Sequence, residues 1–294
     1  MSDIRDFVSL LVACLGRRIK PLLLSAVAVG VLAGSPARAE SVPIPNFWDP
    51  RARSEKPDLT ALRTVRFMVD DEFPPLHFPG PEGVPTGFSV ELARAACEKL
   101  GLTCSIQVRR FDTLLDALSD KAGDVVAAAI PITADIRARF GATMPYFKIP
   151  ARFVARRDRH HPEPQGRGLQ GRSVAVVAGT AHEAFAKTFM PGAAIRSVAD
   201  QNAGQAAVKA GQVDYMFGDG LSLALWIGGT DAADCCTFVG GPFLESRFFG
   251  EGIGFFVRKD DDVLRRALDY ALQRLWDDGR YAEIYLRFFP VSPY

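Results

Sequence analysis

The chain has 294 residues, of which 48% are hydrophobic and 23% are charged, and its formal net charge is +1. This is the composition of an average soluble globular protein, and the length suits one large domain or two of ordinary size. Because the charge is nearly balanced, it argues against nucleic acid or a charged membrane surface as a partner.

The N-terminal segment has the pattern of an export signal. A basic stretch precedes an apolar stretch over 22–32, and a small-x-small sequence follows at 37–39. This layout predicts a secretory signal peptide over residues 1–39, cleaved after Ala39. A short membrane anchor and a twin-arginine signal are the alternatives. Residues 1–16, in which LVAC resembles a lipoprotein signal, are either an extended n-region or a misplaced start.

Export places the mature chain in an oxidising compartment, and Cys14 in the signal leaves four further cysteines. Cys97 lies on the predicted helix VELARAACEKL, and Cys104 opens the next strand, TCSIQVR. A helix-to-strand reversal at this spacing can bring the two sulfurs together, so we expect a Cys97–Cys104 disulfide. Cys235 and Cys236 either form a vicinal disulfide or remain thiols on opposite sides of a strand. No second pair stands at zinc-ligand spacing, so no metal site is predicted.

After a polar leader over 40–62, predicted strands and helices alternate. The predicted strands are VRFMVD, TCSIQVR, DVVAAAI, RFVAR, SVAVVAG, VDYMFG and GIGFFVRKD; the predicted helices are VELARAACEKLG, FDTLLDALSDK, TAHEAFAKTF, SVADQNAGQAAVKAG, DGLSLALWIGG, DDVLRRALDYALQRLWDDG and YAEIYLRFF. This alternation predicts an α/β protein. KAGDVVAAA at 121–129 and KAGQVDYMF at 209–217 repeat one outline, which indicates two similar lobes with the ligand in the crevice between them.

Motifs of enzymes are scarce in this chain. GRGLQG at 166–171 matches a dinucleotide-binding pattern, but it precedes a strand within a polar loop and so lacks the required context. No nucleophile elbow or zinc-protease motif occurs, and the pair His160 and His161 is interpreted as part of a solvated loop. We therefore predict no enzymatic activity and no cofactor.

Seven stretches carry a more specific pattern: DDEFPPLHF, GFSVELARA, FDTLLDAL, PITADIRARFGATMPY, VAVVAGTAHEAF, VDYMFGD and FFGEGIGFFVRKDDDVLRRALDYALQRLWDDGRYAEI. In this order they resemble the polar-amino-acid branch of the bacterial extracellular solute-binding proteins, which feed ABC importers. The resemblance implies a two-lobe periplasmic-binding-protein fold of the α/β class, with a mixed sheet flanked by helices in each lobe and a two-strand hinge. It also implies a first lobe of residues 63–148 plus 250–294 and a second lobe of residues 149–249.

The resemblance further implies ligand-binding residues on both lobes. On the first lobe, Asp70 falls where basic-ligand binders place an acid, and Phe73 and Phe111 fall where aromatic rings hold the ligand side chain. On the second lobe, Thr180 falls on a turn that binds a carboxylate, and His182 takes a ligand-facing position in the same motif. Aromatic side chains in these positions are otherwise core residues.

Asp219 falls where the family places an acid for the ligand's ammonium group. An aspartate after a buried strand is otherwise a helix N-cap. The sequence thus leaves two roles open for this residue.

One site departs from the family pattern. Thr133 is a predicted helix N-cap, but the family's carboxylate-binding arginine aligns with Ile136, and an arginine comes one residue later at Arg137. Small hydroxyl residues are also replaced, by Ala128, Ala129 and Pro131. Either Arg137 bends in to replace the arginine, or it lies on a solvated helix face. The second alternative favours an amine-bearing ligand without a free α-carboxylate, or a different binding pose.

We therefore predict a monomeric periplasmic protein that captures a small polar solute, an amino acid or an amine, and delivers it to an ABC permease in the inner membrane. The alternatives are a sensory binder that docks on a receptor, and an enzyme on the same fold that resembles cyclohexadienyl dehydratases. The sequence does not identify the solute.

The processing of the export signal can be tested directly. We expect the exported protein to begin at Glu40 because the small-x-small sequence ends at Ala39. Intact-mass measurement and N-terminal sequencing would check this. A mature chain that starts at Met1, or a lipid on Cys14, would contradict it.

Overall fold

The structure is a computed structural model that describes residues 42–48, 55–60 and 64–294. The predicted signal peptide and its cleavage site lie outside the described residues. Among the residues that are described, no helix is both long and apolar enough to span a bilayer.

The described part of the chain alternates short strands with helices. The strands are β1 (Thr64–Val69), β2 (Phe78–Pro79), β3 (Pro85–Thr86), β4 (Thr103–Val108), β5 (Val125–Val126), β6 (Phe140–Ala142), β7 (Ala151–Arg156), β8 (Ser173–Val177), β9 (Ala194–Val198), β10 (Tyr215–Asp219), β11 (Cys236–Phe243) and β12 (Phe256–Arg258). The helices are α1 (Phe88–Leu100), α2 (Leu114–Ser119), α3 (Ala134–Arg139), α4 (Ala181–Phe189), α5 (Gln201–Lys209), α6 (Gly220–Gly228), α7 (Ser246–Phe249), α8 (Asp262–Asp277) and α9 (Arg280–Phe288).

Two five-stranded mixed sheets form the centres of two lobes. The first sheet has the order β4-β1-β5-β12-β6, with β1 parallel to β4 and β5 and with β12 antiparallel to β5 and β6. The second has the order β11-β7-β10-β8-β9, with β10 parallel to β8 and antiparallel to β7. These sheets confirm the predicted α/β class and the two-lobe architecture.

Burial on both faces explains why the central strands are almost continuously apolar. In β1, Val65, Phe67 and Val69 lie in the core cluster that includes α1 and α8, whereas Met68 lies in the opposite cluster with α2. This alternation follows from the two-residue period of a strand. The sheet therefore presents its strand ends, rather than its faces, to a ligand.

The chain crosses between the lobes twice, and the two crossings are hydrogen bonded to each other. The N–H of Ile253 donates to the Phe147 carbonyl at 2.6 Å, and the N–H groups of Tyr146 and Phe147 donate to the Ile253 carbonyl at 2.9 and 3.3 Å. Gly252 has a φ of +125°, and a Cβ atom there would lie 2.7 Å from the Phe147 carbonyl oxygen. Only glycine fits this close approach.

One predicted helix is wrong in part. The stretch SVADQNAGQAAVKAG was predicted as a single helix, but its first residues belong to β9, and α5 begins only at Gln201. The Asp200 side chain accepts the N–H of Ala203 at 2.8 Å and so caps the helix after the strand has ended. Because aspartate favours the N-cap position, the helix begins inside the predicted stretch, directly after Asp200.

The disulfide between Cys97 and Cys104 is confirmed, with Cα atoms 6.2 Å apart at the end of α1 and in β4. Of the two alternatives for Cys235 and Cys236, the structure has the vicinal disulfide.

Removal of the Cys97–Cys104 crosslink should lower the free energy of unfolding. The double variant Cys97→Ser/Cys104→Ser should lose about 2–3 kcal/mol, because a short loop is no longer closed in the unfolded chain. Urea unfolding of the oxidised protein would measure this. Two thiols at these positions that are freely alkylated in the native oxidised protein would contradict the crosslink itself.

Candidate functional site

Two depressions contain residues that the sequence predicted for the site. The first, here the cleft cavity, has a volume of about 290 Å³ and is lined from both lobes by Pro131, Thr133, Ile149, Ala181, His182, Asp219, Phe248, Phe249, Gly250, Gly252 and Ile253. The second, here the acidic depression, has a volume of about 470 Å³ and is lined by Asp70, Asp71, Glu72, Val108, Arg109, Arg110, Phe111 and Asp112. The predicted residues are thus divided between two places, and Phe73, Arg137 and Thr180 line neither.

Of the two roles that the sequence left open for Asp219, the structure shows the helix N-cap, and it also places the residue in the lining of the cleft cavity. It ends β10, and its Oδ1 accepts the N–H of Ser222 at 2.7 Å, which caps α6. It also lines the cleft cavity. No hydrogen bond among the described residues uses its Oδ2, so one carboxylate oxygen remains for a ligand.

His182 lies beside Asp219 in the cleft cavity, in the first turn of α4. Its ring stacks on that of Phe249, with centroids 5.2 Å apart, and meets the edge of Phe217 at 5.9 Å. Burial lowers the pKa of His182 below its usual value, and the nearby Asp219 carboxylate opposes this shift. The imidazole is therefore neutral at pH 7 and can accept a hydrogen bond from an ammonium group.

An aromatic cluster fixes the wall of the cleft cavity on the second lobe. Phe185 of α4 stacks on Phe217 of β10 at 5.6 Å and contacts Phe249 of α7 at 5.3 Å. This packing carries Phe249 against His182. The wall therefore has an apolar face with a cation-attracting aromatic surface next to one carboxylate.

The turn at Thr180 is occupied by the protein's own carboxylate. The Thr180 hydroxyl donates to the Val177 carbonyl at 2.7 Å and accepts the N–H of Glu183 at 3.3 Å. The carboxylate of Glu183 in turn accepts the N–H of Gly179 at 2.9 Å. This arrangement is a variant of the capping box, and it uses the hydroxyl and one of the N–H groups that were predicted for a ligand carboxylate.

Glu183 is held firmly as an anion. Lys187, at 2.8 Å, together with the Ser197 hydroxyl and the Gly179 N–H, lowers the pKa of Glu183 to about 2. A ligand carboxylate at this turn would have to compete with a permanent negative charge.

The first lobe also offers few donors to an anion. From residue 129 to residue 132, every backbone N–H already donates to an acceptor within the protein, and the proline at position 131 has no N–H. The bonds run from Ala129 to His77 Nε2 at 3.0 Å, from Ile130 to the Ala128 carbonyl at 2.8 Å and from Ile132 to the Gly252 carbonyl at 2.8 Å. This end of β5 therefore presents no free N–H to a carboxylate.

The guanidinium of Arg137 pairs with Glu251 instead of lining the cleft cavity. Its Nε and Nη2 donate to Glu251 Oε2 at 3.0 and 2.6 Å. The Arg137 side chain is 39% exposed, and Ile136 packs against the core cluster of the first lobe. Thr133 caps α3 through the N–H of Ile136 at 3.3 Å, as predicted, and it lines the cavity.

Asp70 lies at the end of β1 in the acidic depression and is only 3% exposed. Its Oδ1 is 3.2 Å from Nδ1 of the fully buried His77. Phe111 is half exposed in the same depression, and the ring of Phe73 lies 5.9 Å from that of His77.

Sequence reasoning missed four residues of this region: His77, Phe248, Phe249 and Glu251. Each has a signal in the sequence. A histidine within the apolar loop PPLHF is an unusual polar choice, and FFGEGIG places an aromatic pair and an acid among glycines that permit close approach. No group of three or more potential metal ligands occurs among the described residues.

Similar proteins share the fold and most of the length. The chain is 28% identical over 240 residues to the L-arginine-binding protein of Pseudomonas aeruginosa, which covers 81% of this chain and 92% of that protein. It is 24% identical over 234 residues to the histidine-binding periplasmic protein of Escherichia coli, with 79% and 90% covered. These relatives are named as binding proteins, not as enzymes.

Solved structures of similar proteins have the same fold. Substrate-binding domain 2 of GlnP from Lactococcus lactis, in its open conformation, superposes with a TM-score of 0.68 at 18% identity, over 78% of this chain and 96% of that one. An ancestral arginine-binding protein bound to arginine gives a TM-score of 0.52 at 28% identity, over 77% and 98%. The sequence profile of one family matches residues 65–291. The chain belongs to the bacterial extracellular solute-binding proteins, family 3, and is a solute-binding protein of that kind.

Proposed function

We propose that the protein captures a small amine-bearing solute in the periplasm, as a monomer, and delivers it to an ABC permease of the inner membrane. One observation carries the proposal: the described residues that line the cleft cavity include the carboxylate of Asp219 and no lysine or arginine. A partly buried carboxylate without a neighbouring cation in the cavity lining suits an ammonium group, because charge-assisted hydrogen bonds are the strong ones.

The other walls of the cleft cavity support a cationic ligand. The neutral imidazole of His182 can accept a second hydrogen bond, and the ring of Phe249 offers its face to a cation. The names of the relatives point the same way, since they bind arginine, histidine, or lysine and ornithine. Each of these solutes carries a basic side chain.

An α-carboxylate fits less well. Internal acids stand at both candidate places: Glu251 is bonded to Arg137, the possible replacement for the family arginine, and Glu183 is bonded to the Gly179 N–H in the turn next to Thr180. An exposed ion pair such as Arg137–Glu251 is worth only about 0–1 kcal/mol. A ligand carboxylate that displaced Glu251 would nevertheless lie next to that acid and be repelled by it. The ligand class that remains is an amine without a carboxylate.

The position of the cleft cavity between the lobes supports a role in delivery. Thr133 and Pro131 line it from the first lobe, and His182 and Asp219 line it from the second. A ligand that contacts both sets shifts the protein toward a closed form, by as much as its affinity for that form exceeds its affinity for the open one. The permease would recognise this closed form. The periplasmic relatives support the location.

Matched pairs of amines and amino acids give the most direct test. Agmatine and L-arginine, cadaverine and L-lysine, and putrescine and L-ornithine each differ by one carboxylate. In a thermal-shift screen of the mature protein, at least one amine should raise the melting temperature more than its amino acid does. A ligand at 100 times its Kd stabilises by about 2.7 kcal/mol.

An amino acid that stabilises the protein more than its amine, across all three pairs, would overturn the amine proposal. The family assignment would remain intact in that case.

Two variants distinguish the contribution of Asp219 to ligand binding from that of Arg137. Asp219→Asn keeps an N-cap residue for α6 but removes the charge, so it should weaken amine binding about ten- to hundredfold, or about 1.5–3 kcal/mol. Arg137→Ala should change the affinity by no more than about twofold, as for a surface substitution. Isothermal titration calorimetry with the best amine would measure both.

The reverse result, a large loss of affinity in Arg137→Ala with no loss in Asp219→Asn, would contradict the proposal. Glu251→Gln is the matched control, because it frees Arg137 without removing it. It should improve binding of the amino acid in each pair and leave the amine unaffected.

A further inference from the structure

His77 is a fully buried histidine that joins three parts of the first lobe. Its Nε2 accepts the N–H of Ala129 at the end of β5, and its Nδ1 lies 3.2 Å from Oδ1 of Asp70 at the end of β1. Its backbone N–H and carbonyl both bond to the backbone of Phe73. One residue thus links an acid, an aromatic and a backbone donor of the predicted site.

The hydrogen bonds fix which nitrogen of His77 carries the proton. Because Nε2 accepts an N–H, it is unprotonated, and a neutral imidazole then has its proton on Nδ1. That proton faces Asp70. Nδ1 and Asp70 Oδ1 are in contact at 3.2 Å without forming a hydrogen bond, and neither of these buried atoms has a hydrogen-bond partner among the described residues.

The backbone around His77 is held rigidly. The N–H groups of Phe73, Leu76 and His77 all bond within the turn over 73–77. The turn is anchored to α1, where the Phe88 N–H donates to the Pro75 carbonyl at 2.9 Å. These bonds hold the backbone of His77 in place relative to α1, so the imidazole begins from a fixed point next to Asp70 and Ala129.

We propose that His77 is a positioning residue that sets the preference of the site for amines over amino acids. This inference rests on the proposed function. His77 holds the Asp70 carboxylate as a negative wall at the end of β1, and it occupies the Ala129 N–H at the end of β5, so that this donor is closed to a ligand carboxylate. One neutral side chain thereby favours a cation and disfavours an anion at the same edge of the sheet.

An imidazole suits this double role better than other side chains. It offers a donor and an acceptor on opposite sides of a short rigid ring and adds no charge beside Asp70. A lysine or arginine in its place would neutralise the acid and would have no acceptor for the Ala129 N–H.

The protonation state is tested first, on the unmodified protein and without any ligand. Nitrogen-15 NMR of histidine-labelled protein should show one histidine with Nδ1 protonated and Nε2 unprotonated near neutral pH. The signal that disappears in His77→Gln identifies it among the four histidines of the chain. A proton on Nε2 of His77 would overturn the proposal.

Two variants then separate the two contacts. His77→Asn keeps a donor near Asp70 but frees the Ala129 N–H, so it should bind L-lysine about three- to tenfold more tightly and cadaverine unchanged. His77→Gln keeps an acceptor for Ala129 but has no donor at the position of Nδ1, so it should bind cadaverine about three- to tenfold more weakly and L-lysine unchanged. These factors correspond to the net worth of one hydrogen bond.

A merely structural residue would behave differently. If both variants weaken L-lysine and cadaverine by the same factor, His77 does not set specificity. The exposed His160→Asn is the matched control and should leave both affinities within about twofold. If the unmodified protein prefers L-lysine to cadaverine, the proposed function fails, but the proton position and the gain in His77→Asn still decide the role of His77.

Discussion

The close approach of Gly252 to Phe147 is the contact on which the site depends. Because residue 252 has no side chain and adopts a positive φ, the segment after α7 can pair with the other crossing and with the end of β5. The same placement brings Phe249 against His182 and Glu251 against Arg137. A side chain at this position would displace the aromatic wall and the internal ion pair together.

The electrostatic character of the cleft depends on which of its carboxylates are hydrogen bonded to donors of the protein and which have a free oxygen. Glu251 and Glu183 are each bound to donors of the protein itself, whereas Asp219 uses only one oxygen for its helix. Internal carboxylates thus occupy the donors, and one acid with a free oxygen is left facing the cavity. The relatives named for arginine and histidine show that this fold accepts basic solutes.

The sequence predicted what depends on local pattern and failed where tertiary contacts decide. The strand–helix alternation, the Cys97–Cys104 pair and the cap at Thr133 follow from residues close in sequence, and the structure has all three. The pairing of Arg137 with Glu251 joins residues 114 positions apart, so no local pattern could show it. The contact of His77 with Ala129 likewise spans 52 positions. Helical spacing could place Arg137 on one face of α3, but it could not identify Glu251 as the acid with which Arg137 pairs.

The paired crossings between the lobes have a mechanical consequence. Two separate strands would let one lobe both bend and twist relative to the other, whereas strands bonded side by side at Phe147 and Ile253 move as one ribbon. Side-by-side bonding couples the two crossings, so one of them cannot shift along the other without breaking these hydrogen bonds. If the lobes close on a solute as proposed, the angle of closure would be limited by the distance at which the solute holds Thr133 and His182, which line the cavity from opposite lobes. The length of the solute, independent of its charge, would then be a quantity that the protein reports.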